Sequence, residues 1–485
     1  MRNGVPSSFE TPKFKELLTR YEEMVRQHTS VYFESNELTL IAEYYAGKKM
    51  LAELQDVLQY ALNLYPDNID IQAYICHTLI AEGKLAEAEN LLKSLPDQED
   101  QEVRFLWATL HIERNDSLKA NEVFARIEEE DNDVLILLDI ADIYMDYNKG
   151  EEALIWLEKA RKKAPDNPEV WESLSDYHYT FGDISKAIEY FNKLLDENPY
   201  EILYWINLTR CFLRQEKTQK ALEAIDFALA IDEQDATALE LKGLCYMQQG
   251  DAAQTCRFFL QIEESSPNRQ RIRQMMSECY LAMQDYKKAI EYIDKVLSES
   301  NIADFERAIL FQKRALAHIF LGETEQCRQD IENGLSYDKE YAPLYLTLGE
   351  YYIHLGKYTE AQTEIAYAEA LAPDKGEMIE EISHVYFRNE LLFEALTCYE
   401  YLEKNYPHLV KTYYYIMGYC YYIRGEREKA FRTLIKAIVA SPDTLNNISD
   451  LIGQGKEESL YFHMALDVKH MIDKGSINPL DYLDE

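Results

Sequence analysis

One sequence pattern recurs with a 34-residue period along most of this 485-residue chain, and it constrains the fold more than any other feature. Aligning the stretch WESLSDYHYTFGDISKAIEYFNKLLDENP (171–199) with the rest of the chain gives twelve units between residues 35 and 444. The units begin at residues 35, 69, 101, 134, 168, 202, 236, 270, 308, 342, 376 and 411. A period of this length is typical of chains in which each unit can bury its apolar face only by stacking on its neighbours.

Two positions in the unit indicate a pair of closely packed helices. The eighth position is always small, and its occupants are Ala42, Cys76, Ala108, Ala141, Ser175, Thr209, Gly243, Ser277, Ala315, Gly349, Ser383 and Gly418. The twentieth position is alanine in nine of the twelve units, for example Ala153, Ala187, Ala361 and Ala430. Antiparallel helices approach closely only where side chains are nearly absent, so each unit is predicted to be a helical hairpin.

Turn residues mark the ends of both predicted helices. The fifteenth position is glycine in Gly83, Gly182, Gly250, Gly322, Gly356 and Gly425, where it can form a left-handed helix end. The second helix stops at a proline in seven units: Pro66, Pro165, Pro199, Pro267, Pro373, Pro407 and Pro442.

This pattern resembles the tetratricopeptide repeat, which reads W-x2-L-G-x2-Y, then A-x3-F, then P over 34 residues. The matching residues in the fifth unit are Trp171, Leu174, Ser175, Ala187, Phe191 and Pro199; in the tenth they are Leu348, Gly349, Tyr352, Ala361, Ala368 and Pro373. The resemblance covers residues 35–444 and departs from the pattern at Leu54, Thr255 and Cys327, which replace the second-helix alanine. It implies an all-α fold, a right-handed α-solenoid or superhelix of stacked antiparallel hairpins whose first helices line a concave groove.

The segments outside the twelve repeats are predicted to cap them. Residues 1–34 contain an amphipathic N-terminal capping helix, residues 445–474 a C-terminal capping hairpin, and residues 475–485 an exposed acidic tail. Four extra residues near 298–307 either lengthen a loop or add a turn to the first helix of the ninth unit. We expect the superhelix to change pitch there.

Composition excludes several classes of protein. The net charge of −37 argues against a nucleic-acid partner, since phosphate contacts need clustered Lys and Arg. The chain has no apolar run long enough to span a membrane and no secretory signal, and its eight cysteines lack the spacing of a disulfide framework. These features favour a cytoplasmic protein with reduced thiols.

No catalytic, cofactor or metal motif is found, so we expect neither an enzyme nor a cofactor. Three histidines replace the aromatic residue at the eleventh position and are interpreted as structural: His111, His178 and His318. Two others, His77 and His384, face the predicted groove without a second metal ligand nearby.

Four cysteines share the tenth position: Cys211, Cys245, Cys279 and Cys420. We interpret them as small buried side chains, spaced on the order of 10 Å apart between neighbouring hairpins.

The candidate binding residues are those predicted to face the groove from positions two, five, nine and twelve. They form an acidic stretch (Asp142, Glu172, Asp176, Tyr179), a set of arginines (Arg210, with Arg214 beside it at position thirteen, and Arg271), a second acidic set (Glu350, Glu377, Glu380) and a tyrosine cluster (Tyr415, Tyr419, Tyr422). For two of these sets the sequence leaves a structural role open as the alternative to partner binding. In that role the arginines pair with neighbouring acids, and the tyrosines pack against the C-terminal cap.

The sequence therefore favours a non-catalytic scaffold that binds a protein or peptide in its concave groove. The acidic stretch predicts a partner with a basic or disordered segment, and the tyrosines predict a hydrophobic anchor for it. The alternative is a self-assembling structural protein, a homo-oligomer in which the C-terminal cap or tail docks on another copy.

Overall fold

The structure is a computed structural model that describes residues 9, 11–27, 29–48, 50–66, 68–131, 133–299, 301–442, 445, 452 and 455–482. Over these residues the chain is helical and contains no strand, which confirms the predicted all-α class. Each of the twelve predicted units is a pair of helices, called here hairpins 1 to 12. Within each of the two compact units described below, the second helix of one hairpin packs against the first helix of the next, and several neighbouring first helices also contact each other. This is the arrangement of an α-solenoid.

The first helices span Ser35–Gly47, Ile69–Ala81, Gln101–Glu113, Val134–Asp146, Pro168–Thr180, Ile202–Arg214, Ala236–Gln248, Arg269–Ala282, Asp304–Leu321, Ala342–His354, Lys375–Arg388 and Tyr414–Arg424. The second helices span Leu51–Leu64, Leu85–Ser94, Ser117–Glu130, Gly150–Lys163, Ile184–Glu197, Thr218–Ile231, Ala252–Ile262, Tyr286–Leu297, Thr324–Tyr337, Tyr358–Leu371, Leu392–Asn405 and Arg427–Ala440. Helices Pro12–Gln27 and Lys456–Asp473 flank this array, and a short helix, Pro407–Val410, and a 3-10 turn, Lys411–Tyr413, precede the first helix of hairpin 12.

Side-chain caps explain where many of these helices begin. Asn167 is one of them: its amide oxygen accepts hydrogen bonds from the backbone N–H groups of Glu169 and Val170, at 2.7 and 3.4 Å. Pro168 follows as the first helical residue, where the missing N–H costs nothing. Such caps satisfy backbone donors that the helix itself leaves without an acceptor.

The small residues at positions eight and twenty lie where the two helices of a hairpin touch. All twelve residues at position eight are buried. At Gly349, an added Cβ would lie 2.6 Å from Ile365 Cγ1 and 3.3 Å from the carbonyl oxygen of Ala361, both on the second helix. The close approach predicted from the sequence is therefore present.

The fifteenth position adopts a left-handed backbone in nearly every hairpin, whether or not it is glycine. Five non-glycine residues have φ between 56° and 60°, and all five are at this position: Asn115, Asn148, Glu216, Gln284 and Glu390. Gly182 is the exception among the glycines, because its φ is not positive. An added Cβ at Gly182 would lie 2.5 Å from His178 Nδ1. The tight turn, not glycine itself, is the common feature.

The irregular spacings of the repeat have simple structural counterparts. The four extra residues before hairpin 9 lengthen its first helix to 18 residues, against 13 in hairpin 10. The shortened second unit has a second helix of only 10 residues. The change of pitch near 298–307 stays a prediction, and residue 300 lies outside the described residues.

The chain divides into two compact units, Met1–Cys245 and Tyr246–Glu485. In unit 1, the N-terminal helix packs its Tyr21 ring against Phe33 of the loop before hairpin 1, with ring centroids 5.8 Å apart. In unit 2, the helix Lys456–Asp473 buries Tyr461 completely against hairpin 12. Of the predicted C-terminal capping hairpin, residues 446–451, 453 and 454 lie outside the described part.

The predicted tail is partly packed. Tyr482 is half-buried, and its ring centroid lies 6.1 Å from that of Phe431 on the second helix of hairpin 12. Residues 483–485 are not described. Among the helices that the structure does describe, none combines the length and the hydropathy needed to cross a bilayer.

Candidate functional site

We call the side of the first helices that carries positions six, nine and thirteen the first-helix face. Position thirteen is exposed in every hairpin, whereas positions six and nine range from exposed, as at Asp139 and His77, to buried, as at Thr347 and Glu350. The prediction that positions five and twelve face inward is wrong for several hairpins. The side chains there are buried in Ala73, Leu138, Ile206 and Leu346 at position five and in Ile80, Ile112, Ile319 and Ile353 at position twelve, whereas Glu172, Tyr179 and Glu380 are only half-buried. The sequence alone did not show how tightly neighbouring first helices pack.

In unit 1, the predicted acidic stretch lies on this face. Asp142 and Asp176 occupy position nine of hairpins 4 and 5, and both are half-buried. Asp139 and Asp146, at positions six and thirteen of hairpin 4, are exposed beside Asp142 and were missed by the sequence analysis. Hairpin 4 thus presents three carboxylates along one side of a helix.

Glu172 links hairpin 5 to its neighbour. The Tyr204 hydroxyl of hairpin 6 donates a hydrogen bond to Glu172 Oε1. Burial and this hydrogen bond raise the pKa of Tyr204 well above its usual value, so the phenol stays protonated and remains the donor. Glu172 is therefore held in a fixed orientation on the half-buried edge of the face.

The unit 1 arginines contact uncharged groups as well as lying near acids. Arg210 is half-buried and donates to the side-chain oxygen of Asn207 at 2.9 Å. Arg214 is exposed, donates to the backbone carbonyl of Tyr179, and holds its guanidinium 5.4 Å from the centre of the Tyr179 ring. The Arg214 guanidinium thus covers part of the half-buried Tyr179 ring, which leaves less of the ring accessible to a partner.

His77 lies on the first-helix face of unit 1, at position nine of hairpin 2, and its side chain is exposed. Desolvation by the surrounding protein lowers its pKa, whereas the charge of Asp146, two hairpins further along, acts in the opposite direction on the same ring.

In unit 2, Glu350 is not an open acid as the sequence suggested. It is completely buried and accepts hydrogen bonds from Arg388 Nε at 2.6 Å and from Asn389 Nδ2 at 3.0 Å. The Arg388 guanidinium also lies 5.8 Å from the Phe320 ring centre, and Phe320 stacks on Tyr286 at 4.8 Å. The sequence predicted an open carboxylate at Glu350, but this carboxylate is paired with Arg388, and the Phe320–Tyr286 stack lies beside the pair.

The other predicted acids of unit 2 are closer to the surface. The Tyr413 hydroxyl donates to Glu380 at 2.6 Å, and Tyr413 also packs edge-on against His384 at 4.9 Å. Burial lowers the pKa of His384, while burial and the neighbouring Glu377 raise the pKa of Glu381. Arg271, at position two of hairpin 8, is exposed.

The tyrosine cluster packs against the C-terminal helix, which is the alternative that the sequence left open. Tyr415 and Tyr419 are 1% and 6% exposed. Tyr419 donates to Glu458 at 2.7 Å, and the rings of Tyr419 and Tyr422 lie 5.5 and 5.6 Å from Tyr461. Because the chain's own helix covers these rings, they are not open as a hydrophobic anchor.

The residues that sequence reasoning missed follow one rule. Asp139, Asp146 and Arg388 occupy positions six and thirteen, each the residue directly after a position that was searched. A search of the whole exposed side of each first helix would have found them. No group of three His, Cys, Asp or Glu side chains in the described residues is arranged to hold a metal ion.

The family profiles that match this chain all describe the same repeat. Profiles described as tetratricopeptide repeat match residues 51–110, 138–202, 210–269 and 270–302. The chain is 24% identical over 257 residues to the TPR repeat-containing protein MJ1428 of Methanocaldococcus jannaschii, covering 52% of this chain and 41% of that protein. It is 24% identical over 287 residues to anaphase-promoting complex subunit 3 of Schizosaccharomyces pombe, covering 58% of this chain and 42% of that protein.

The chain thus spans about two fifths of the length of these curated relatives. Among solved structures, a tetratricopeptide repeat protein from Parabacteroides merdae matches with a TM-score of 0.39 and 20% identity, over 52% of this chain and 98% of that one.

Proposed function

Because the chain carries tetratricopeptide repeats, we propose that it is a non-catalytic scaffold that holds a protein segment against the first-helix face of unit 1. The observation that supports this most is the run of carboxylates on the first-helix face of hairpins 4 and 5, formed by Asp139, Asp142, Asp146, Glu172 and Asp176. Repeat proteins of this architecture use extended concave surfaces for binding.

The chemistry of this face favours a partner segment with Lys or Arg side chains. Several carboxylates close together on one face add up to a negative potential that attracts a cationic side chain. The negative field would mainly raise the association rate and select against acidic segments. Arg210 and Arg214 border the acidic run, and they would set the register by repelling basic residues from that end.

A charge-reversal experiment tests this proposal. The face variant carries Asp142→Lys, Glu172→Lys and Asp176→Lys. The matched control carries Glu189→Lys, Asp196→Lys and Glu223→Lys, three exposed acids on second helices of the same unit. Both variants change the net charge equally, so only the location of the charges differs.

Each protein is used to capture partners from a lysate of the source organism at low and at high salt. We expect a partner that the wild type and the control retain at low salt, and that the face variant loses. Equal recovery of the same partners by all three proteins would contradict the proposal.

The alternative, self-assembly through the C-terminal segment, remains a prediction with a specific structural requirement. The described part of that segment contacts hairpin 12 of its own chain through Tyr461 and Tyr482. A second copy could take up this segment only if it left its own hairpin first. Light scattering of the full chain and of a version ending at Lys474 would show a dimer lost on truncation.

A further inference from the structure

A small cavity lies between hairpins 10 and 11 of unit 2. Its volume is about 260 Å³. The residues that line it lie at the turns of the two hairpins or close to them, and most of them are apolar or aromatic: Ile353, Tyr358, Gln362, Tyr386, Leu391 and Glu394. None of them belongs to the acidic run of unit 1, so the cavity is a separate feature of the chain.

A difference between two hairpin junctions explains why this space is not filled. Between hairpins 4 and 5, the Phe181 ring at position fourteen packs on Gly150 at position seventeen, where an added Cβ would lie 3.0 Å from Phe181 Cδ1. The corresponding residues of hairpins 10 and 11 are Tyr358 and Asn389. Asn389 donates a hydrogen bond to Glu350 Oε1 at 3.0 Å. Position fourteen therefore carries a short, hydrogen-bonded amide here instead of an aromatic ring, which leaves the space beside Tyr358 open.

Glu394 gives the cavity a negative charge. Its side chain is half-buried, and in the described part of the chain no Lys or Arg forms an ion pair with it. Two neighbouring acids differ in this respect, since Glu369 pairs with Lys375 at 2.9 Å and Glu350 pairs with Arg388. A carboxylate against an apolar wall attracts a cation more strongly than one in open water, because the local dielectric constant is lower. The group that complements this cavity is therefore apolar with a positive charge beside it.

The size of the cavity suits one bulky side chain. A cavity of about 150 Å³ is enough to hold benzene, whereas pockets for drug-sized ligands start at about 300 Å³. Three large apolar side chains in the same turns are exposed to water: Leu355, Tyr358 and Phe393, which are 41%, 54% and 62% exposed. A chain segment that lies across the cavity would cover them, and exposed apolar side chains that lie close together mark interaction sites.

We propose that this cavity is a second docking site of the chain, and that it takes a protein segment with one bulky apolar side chain and a neighbouring lysine or arginine. The apolar side chain, such as that of Phe or Leu, enters the cavity between Tyr358 and Leu391, and the cation pairs with Glu394. A second copy of this chain is a poor occupant, because two chains of net charge −37 repel each other. The proposal does not depend on the binding proposed for unit 1.

Selection from a displayed library of random peptides tests the proposal. The wild-type chain is immobilised, and the variant Gln362→Trp, whose indole would occupy the cavity, is present in solution in excess. This competitor removes peptides that bind elsewhere, including those that bind the acidic run of unit 1. We expect the retained peptides to share a bulky apolar residue with a Lys or Arg close to it in sequence. Retention of no peptide, or of peptides without the basic residue, would overturn the proposal.

Neutralising Glu394 measures the contribution of the cation. Glu394→Gln keeps the shape of the side chain and should weaken the binding of a selected peptide about tenfold, the usual effect of losing a hydrogen bond between charged groups. Glu360→Gln is the matched control, since Glu360 is an exposed acid of hairpin 10 that does not line the cavity, and it should leave the affinity unchanged. Calorimetric titration measures both affinities. Equal affinities for the two variants would rule out pairing with Glu394.

Reversing the charge of Glu394 gives a test that does not need the filled cavity. Selection on Glu394→Lys, with the wild-type chain as the soluble competitor, should retain peptides in which Asp or Glu replaces the basic residue. Circular dichroism checks that Gln362→Trp and Glu394→Lys are folded. If Gln362→Trp does not fold, this exchange of the selected charge decides the question by itself. Continued selection of basic peptides by Glu394→Lys would overturn the proposal.

Discussion

At the scale of single residues, the fifteenth position shows that the turn between the two helices determines the backbone conformation. Glu216, Gln284 and Glu390 take the left-handed conformation there with φ near 60°, where an L side chain is strained. The fold tolerates this strain because the helices on both sides fix the turn. Glycine in other hairpins occupies the same conformation without strain.

Replacing Glu216 with glycine should therefore stabilise the chain. We expect the free energy of unfolding to rise by about 0.5–1 kcal/mol, because relief of the strained φ exceeds the added backbone entropy of glycine. The midpoint of urea-induced loss of helicity measures this change. Glu223→Gly, in the middle of the next helix, is the matched control and should lower the midpoint. A lower midpoint for Glu216→Gly would contradict this account of the turn.

Gly349 provides a test of the contact between the two helices of a hairpin. Alanine there would place a Cβ 2.6 Å from Ile365 Cγ1, so the helices would have to separate. We expect Gly349→Ala to destabilise unit 2 by about 1–3 kcal/mol, the usual cost of overpacking. Gly47→Ala is the control, since nothing lies within 4 Å of the added atom. Equal urea midpoints for the two variants would show that the helices are not in close contact at Gly349.

At the scale of elements, buried ion pairs tie neighbouring hairpins together in unit 2. Arg388 on hairpin 11 pairs with Glu350 on hairpin 10, whose side chain is only 1% exposed. Removing Arg388 leaves a buried carboxylate with Asn389 as its remaining donor. Because Arg388 itself is 37% exposed, we expect Arg388→Ala to cost about 2–3 kcal/mol, near the lower end for a broken buried pair.

The control for this prediction is Arg328→Ala, since Arg328 forms two exposed ion pairs within one helix. Its loss should cost less than about 1 kcal/mol. Thermal unfolding of both variants checks the contrast. Equal destabilisation would mean that the Glu350 pair does not hold hairpins 10 and 11 together.

The elements themselves could be predicted from the sequence, whereas their long-range partners could not. The 34-residue period predicts the positions of all twelve hairpins, because small residues, turn residues and prolines act locally within each unit. Long-range contacts are different: Glu350 pairs with Arg388, 38 residues away, and Tyr419 donates a hydrogen bond to Glu458, 39 residues away. Such contacts depend on how one hairpin sits on the next, and no local pattern records that. The left-handed Glu216 was also missed, since glutamate does not favour this conformation.

At the scale of the whole molecule, the net charge of −37 opposes the compact state. Repulsion among like charges is screened by salt, and the Debye length falls from about 30 Å at 0.01 M to about 8 Å at 0.15 M ionic strength. We therefore expect the urea midpoint to rise when sodium chloride increases from 0.01 to 0.15 M. A falling midpoint would show that attractive ion pairs outweigh the net repulsion.

In the proposed function, a partner binds on the first-helix face of unit 1. Carboxylate footprinting of the captured complex, with carbodiimide labelling read by mass spectrometry, tests it directly. Bound partner should reduce labelling of Asp142, Glu172 and Asp176, and leave labelling of Glu189, Asp196 and Glu223 on the second helices unchanged. Protection of the second-helix carboxylates, with the first-helix carboxylates labelled as in the free protein, would contradict the account.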